Sequence, residues 1–235
     1  MKLNVLQIGD DRLLKSSKAI RDFQDKKLQN LIENMIETCH LDREHTAGLA
    51  APQVGENLRL AIIRRIDLDE KIEKKTKIEM KRKIREKSNT SEDSIDTQGE
   101  KKKPRINMNE IRSKIRSNIE NWEVLINPKI NYASEEESTI WEACLSIGTG
   151  GSMLMGPVSR PRSIKIEYFD RSGNKKSLEA KGFFSHLIQH EIDHLDGILF
   201  INRVPNPERN LWTSEQIDQH IEKFGAYPQI YQPSI

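Results

Sequence analysis

His190 and His194 stand four residues apart, with Glu191 beside the first, in the run Gln189-His190-Glu191-Ile192-Asp193-His194. On a helix, side chains at i and i+4 lie one turn above each other, with about 6 Å between Cβ atoms. Two imidazoles so placed can bind one divalent cation. Glu191 is then within reach of a water on that ion without being obliged to ligate it. The motif supplies two ligands and a general base together. Taken alone, it also fits two ordinary helix histidines. A tetrahedral site needs a third protein ligand and one open position.

Two residues compete for the third place. His186 lies one turn before His190, on the same face. Ligands at i, i+4 and i+8 of a straight helix span about 12 Å of rise and cannot all reach one ion. His186 is left to line a pocket or face solvent. Cys144 is the other candidate, since a thiolate suits zinc or ferrous iron; its plain alternative is a buried free cysteine. His40, His45 and His220 carry no motif and read as surface residues. A third stretch, Thr46-Ala47-Gly48-Leu49-Ala50-Ala51-Pro52-Gln53-Val54-Gly55, crowds small side chains together and ends in one amide. Small residues let another backbone approach closely. Gln53 would offer a neutral donor beside it, although a packed turn explains the same stretch.

Elements must position these groups. Leu28, Leu31, Ile32, Met35 and Ile36 recur at helical spacing, which predicts an amphipathic helix over about 22–40 with Cys39 as a core residue. Leu58, Leu60, Ile62 and Ile63 read as a strand. Strand character resumes at Trp122 and runs through Pro128. Alternating Ile164, Ile166 and Tyr168, a turn at 171–174 and a run to about Ala180 predict a hairpin. The His-Glu-x-x-His helix spans about Phe183 to Leu195 and ends at Asp196-Gly197, a left-handed cap. Residues 148–156 read as a glycine-rich loop. Ser214 is read as the N-cap of a last helix over 215–224, whose apolar face is Ile217, Ile221 and Phe224. The fold class is α+β: mixed or antiparallel sheets packed around a central metal-binding helix, with helices near both ends of the chain.

Residues 65–120 differ from the rest. They hold 17 Lys/Arg against 12 Asp/Glu and no aromatic residue. Such a segment buries too little apolar surface to offset its ordering entropy. We read one domain over 1–235, interrupted there by a charged, flexible surface insertion. Within it, 71–86 reads as a solvated helix, 88–103 as disordered, and Met108, Ile111, Ile115 and Ile119 as one helical face. Interleaved acidic residues favour a solvated insert over an RNA-binding one.

Three motifs thus stand in order: Gly48-Leu49-Ala50-Ala51-Pro52-Gln53, Glu142-Ala143-Cys144-Leu145-Ser146, and Gln189-His190-Glu191-Ile192-Asp193-His194. Together they resemble the peptide deformylase family, over the whole chain apart from the charged insert. The resemblance implies that Cys144, His190 and His194 bind one divalent metal ion, Fe2+ first, with Zn2+, Ni2+ or Co2+ as alternatives. It implies Glu191 as the proton-transfer group, and the Gln53 amide and Leu145 N–H as oxyanion donors. The implied substrate is the N-formyl-methionyl end of new polypeptides, laid as an added strand along Gly48. The methionine pocket would draw on Ala47, Phe183, His186 and Leu187. Departures are Thr46 and Ala143 where glycine is usual, the long loop at 148–156, and the insert. At Ala143 a side chain carries a conformational cost if that backbone needs a positive φ. Glu142 is expected to pair with Arg160.

The bulk numbers agree. Hydrophobic residues make up 35% and charged residues 31% of the 235 positions, and no apolar run approaches the roughly 20 residues of a membrane span. The first residues enter a structured pattern at once, without the marks of a signal or transit peptide. Two cysteines make no disulfide framework, so a reducing, cytoplasmic setting is expected. Neither membrane nor DNA contact is expected; docking near the ribosomal exit tunnel would suit the implied substrate. The competing readings are another metallohydrolase on the same helix, or an inactive deformylase-like binding protein.

Overall fold

The computed structural model describes residues 1–41, 46–68 and 121–232. The chain divides into two units, Met1–Arg64 with Trp122–Ile235, and Arg65–Asn121. Of the second unit only residues 65–68 and 121 are described. There the Arg65 guanidinium donates to the Asp67 carboxylate from Nε (2.8 Å) and Nη2 (2.9 Å). The readings for 71–86, 88–103 and 108–119 lie outside the described residues, as does His45.

The first unit is built on two antiparallel sheets. Strands β1 (Gly48–Ala50), β2 (Leu60–Arg64), β3 (Trp122–Ala133), β6 (Ser163–Phe169) and β7 (Lys175–Lys181) form a five-stranded sheet in the order β1-β2-β3-β6-β7. Strands β4 (Glu137–Ala143), β5 (Leu154–Pro161) and β8 (Trp212–Thr213) form a three-stranded sheet, β4-β5-β8. Every strand pair in both is antiparallel.

Helix α1 (Lys26–Leu41) covers one face of the larger sheet. It begins four residues later than periodicity suggests, because the Asp25 carboxylate accepts the Lys27 N–H (2.8 Å) and starts the helix there. Its Leu28, Ile32, Met35 and Cys39 pack on Leu49, Leu60, Ile62, Val124 and Ile126. Helix α2 (Phe183–Leu195) covers the other face, where Leu195 meets Ala50 and Ala61. Strand side chains alternate between faces, so the continuous apolar run of β2 reflects burial on both. Helix α2 also reaches β5 of the second sheet. All of its residues except Phe183 and His190 are buried. It ends at Gly197, φ +76°, as the cap reading requires.

Three expectations need correction. Residues 148–156 are not one loop: a 3-10 turn at Gly150–Ser152 leads into β5 from Leu154. Gly156 lies inside that strand, where a Cβ would come within 2.7 Å of Val204 Cγ2, so this glycine serves close packing rather than a turn. The last helix, after α3 (Pro207–Asn210), is α4 (Ser214–Phe224), and its N-cap is Thr213 rather than Ser214. Thr213 Oγ1 accepts the Gln216 N–H (3.2 Å) and Gln216 Oε1 accepts the Thr213 N–H (2.9 Å). His220 is no plain surface residue, since its ring packs 5.4 Å from Trp212 and 4.6 Å from Phe224.

Candidate active site

The site forms where the short strand β1, the turn after β4 and helix α2 meet. Each element delivers its side chains for a local reason. Residues 51–54 tighten into a 3-10 turn that folds the Gln53 side chain back on the chain. The Ala50 N–H donates to Gln53 Oε1 (2.8 Å), which aims the amide nitrogen outward, 3.4 Å from Cys144 Sγ and 3.2 Å from Ser146 Oγ. The N-terminal segment ties the two loops together: Leu6 N–H donates to Gln53 O (2.7 Å) and Ile8 N–H to Ser146 O (2.8 Å). The Gln7 side chain also donates to Leu145 O (2.9 Å). Ala143 sits in β4 and is not among the positive-φ residues, so its Cβ carries no backbone strain.

Cys144, His190 and His194 offer ligand atoms that all lie within 4.8 Å of one another. Cys144 Sγ is 3.2 Å from His194 Nε2. Nδ1 of His190 donates to Glu142 Oε2 (2.9 Å), which leaves Nε2 free to face the cluster. Burial alone would raise the Cys144 thiol, but the His194 and His190 rings outweigh it and hold the thiol at about 5. Burial likewise opposes a charge on His190, yet its bonds to Cys144 and Glu142 raise it well above the ordinary imidazole value. The cluster therefore favours a thiolate and holds positive charge where a cation would replace a proton. Donor chemistry and convergence fit a divalent metal ion.

Glu191 is buried and its Oε2 has no hydrogen-bond partner among the described residues. Burial pushes its carboxyl up to about 7; the Cys144 and Glu142 charges add to this against the opposing histidines. Gly48 is what admits it, because a Cβ there would lie 2.4 Å from Glu191 Oε1.

A cavity of about 250 Å3 opens beside the cluster. It brings together Gln53, Cys144, Leu145, His190 and Glu191 with Ala47, Gly48, Phe183, His186 and Leu187. Of the predicted site residues, His194 alone is not in the cavity lining. His186 faces this cavity and not solvent: it is 2% exposed, with Nδ1 3.2 Å from Glu142 Oε1 and Nε2 2.9 Å from Ser138 O. Phe183 is 54% exposed, at the cavity mouth.

The candidate ligands are backed by an ionic network, buried at Glu142, Arg160 and Asp193 and reaching the surface at Arg203. Arg160 donates to Glu142 Oε1 from Nε (2.6 Å) and to Oε2 from Nη2 (2.9 Å), as expected, and also to Asp193 Oδ2 from Nη1 (2.6 Å). Arg203 donates to the same Asp193 carboxylate (2.6 Å). Burial works against the Glu142 charge, but Arg160, His186 and His190 hold its carboxyl well below the usual range. Asp193 and Arg203 were missed from sequence, as were the cavity residues Ile140, Met153 and Met155. Asp193 was legible as a carboxylate inside the motif, three residues after His190; the others carry no local signal.

Two antiparallel sheets clasping a His-Glu-x-x-His helix, with a cysteine completing the ligand set, define a metallohydrolase. The chain belongs to the polypeptide deformylase family, whose sequence profile matches residues 2–210. It is 30% identical over 201 residues to a peptide deformylase of Brachyspira hyodysenteriae, covering 86% of this chain and 80% of that one. Among solved structures it resembles a peptide deformylase from Legionella pneumophila, with a TM-score of 0.59, 25% identity, and 97% and 100% of the two chains covered. A peptide deformylase from Synechococcus elongatus gives a TM-score of 0.57 at 27% identity, over 99% of this chain and 92% of that one. The enzyme class is therefore a metal-dependent amide hydrolase that removes N-formyl groups from peptides.

Proposed function

We propose that Cys144, His190 and His194 hold one divalent ion, Fe2+ first, and that the surrounding residues deformylate N-formyl-methionyl peptides. The single observation that supports the reading best is the convergence of the three ligand atoms beside a buried carboxylate with a free oxygen. A bound ion supplies Lewis acidity to the formyl carbonyl and to the attacking water. Glu191, poised near neutrality, accepts the proton of that water and passes it to the leaving amine. The Gln53 amide and the Leu145 N–H donate to the oxygen that gains charge. Gln53 is pre-aimed by Ala50, and Leu145 donates to no group among the described residues. One such donor is typically worth about 3 kcal/mol.

Among the described residues strand β1 is an edge, paired only with β2, so a peptide can add to it along Gly48. Methionine would enter the cavity between Ala47, Phe183, His186 and Leu187. A formyl group is the smallest acyl group, which suits a cavity of about 250 Å3 crowded by side chains. The test is formate release from a formyl-Met peptide by anaerobically prepared protein, with metal analysis of the same sample. Glu191→Ala and Gln53→Leu should each lower kcat by at least about a hundredfold, with folding intact. Turnover near wild type in either variant would refute the assignment of roles.

We further place this activity in the cytoplasm, on peptides leaving the ribosome, with 65–120 as a charged insertion in a surface loop. No described helix is long and apolar enough to cross a membrane. Cosedimentation with ribosomes checks the docking, and unchanged formate release after 69–120 is replaced by a Gly/Ser linker checks the insertion.

A further inference from the structure

Thr46 carries a hydroxyl that the mechanism above does not use. Its side chain is 4% exposed, and Oγ1 has no hydrogen-bond partner among the described residues. Buried hydroxyls are nearly always satisfied, so an orphan one calls for an explanation. Thr46 lines the reaction cavity, together with Gly48, Cys144 and Glu191.

The strand that follows Thr46 shows which face meets the site. The Arg64 N–H donates to Ala47 O (2.7 Å), so the ladder to β2 continues one residue before Gly48. Side chains two apart on a strand share a face. The Cβ direction at Gly48 meets Glu191, and Ala50 meets Leu195, so this face is the one turned to α2. Thr46 lies two residues before Gly48, outside β1 and beyond a bend at Ala47, and lines the same cavity as Gly48 and Glu191. Within β1 the Ala50 N–H turns away from β2 to donate to Gln53 Oε1 (2.8 Å), so by alternation the Gly48 backbone also faces away from β2.

We propose that Thr46 is a substrate-contacting specificity residue, whose hydroxyl hydrogen-bonds a backbone amide group of the N-formyl peptide within two residues of its methionine. The inference rests on the proposed deformylase reading. It explains why a polar group is kept buried without a partner among the described residues: its partner arrives with the peptide.

The test is Thr46→Val, which keeps the shape and removes the hydroxyl, beside Thr46→Ser, which keeps the hydroxyl. KM for a formyl-Met-Ala-Ser peptide should rise about tenfold in the valine variant, the loss expected of one hydrogen bond, with kcat within about twofold. Affinity for the product Met-Ala-Ser, read by calorimetry, should fall in step. Melting temperature should stay level or rise, since no bond among the described residues is broken. The serine variant should bind as wild type does. Unchanged KM and peptide affinity in Thr46→Val would overturn the proposal. So would an equal loss in Thr46→Ser, which would assign the effect to shape, or a lowered melting temperature in Thr46→Val, which would make the hydroxyl structural. Absent formate release in wild type would defeat the deformylase reading instead, and peptide affinity would still decide the Thr46 contact.

Discussion

Cys144 and Glu142 show how single residues are tuned by their neighbours. Burial disfavours a charge on either, and in both cases specific cationic partners reverse it. In metal-free protein the Cys144 thiolate should therefore appear, by its ultraviolet absorbance, with a midpoint near 5. A midpoint at the ordinary thiol value of about 8.5 would contradict the ring contacts. The Glu142–Arg160 pair makes a second prediction. Both side chains are buried, and removing one partner strands the other's charge. Arg160→Ala should lower stability at neutral pH by about 3–5 kcal/mol, measured by urea unfolding. The folded Glu142 carboxyl is depressed, so its contribution is complete above the ordinary value of about 4.3 and fades as pH falls below it. Wild type should lose stability in that acid window, and the variant should lose less.

At the scale of elements, the site depends on how closely β1 approaches α2. Gly48 is the contact point, with Glu191 Oε1 only 2.4 Å from where a Cβ would stand. Gly48→Ala must push the Glu191 carboxylate aside. On the proposed role of Glu191, we expect a fall in kcat of about a hundredfold or more with secondary structure retained, since an ångström-scale misplacement of a proton-transfer group costs that much. Near-normal turnover would mean that Glu191 has room to spare. A comparable dependence links the other wall of the cavity to the last helix. The Ser214 N–H donates to Met153 O (2.8 Å) and Ser214 Oγ to Gly150 O (2.9 Å), so the start of α4 holds the turn that carries Met153. The glycine-rich stretch is thereby fixed by a residue some sixty positions later.

For the molecule as a whole, an ion held by the three proposed ligands would act as a cross-link. Cys144 follows β4 of the smaller sheet, while His190 and His194 belong to the helix packed on the larger one. A ligand that binds only the folded state stabilises it by mass action, about 4 kcal/mol at a thousandfold excess over Kd. Chelation should lower the melting temperature of the intact protein, and adding back a divalent ion should restore it. A melting temperature indifferent to chelator would argue that no ion bridges the two sheets.

Much of this was legible in the chain because the signals are local. Four-residue spacing defines which histidines share a helix face; α2 was read to the residue and α1 to within four residues at its start. Apolar alternation gave the β6–β7 hairpin. Helix geometry alone removed His186 from the ligand set. What only the tertiary structure decided are relations across long separations: Gln53 beside Cys144, Asp193 bridging Arg160 and Arg203, the harmless extended backbone at Ala143, and the orphan hydroxyl of Thr46. Sequence specifies the conformation of neighbours through sterics and hydrogen bonding within a turn or two. Which faces then meet, and how near, is set by packing that no local pattern encodes.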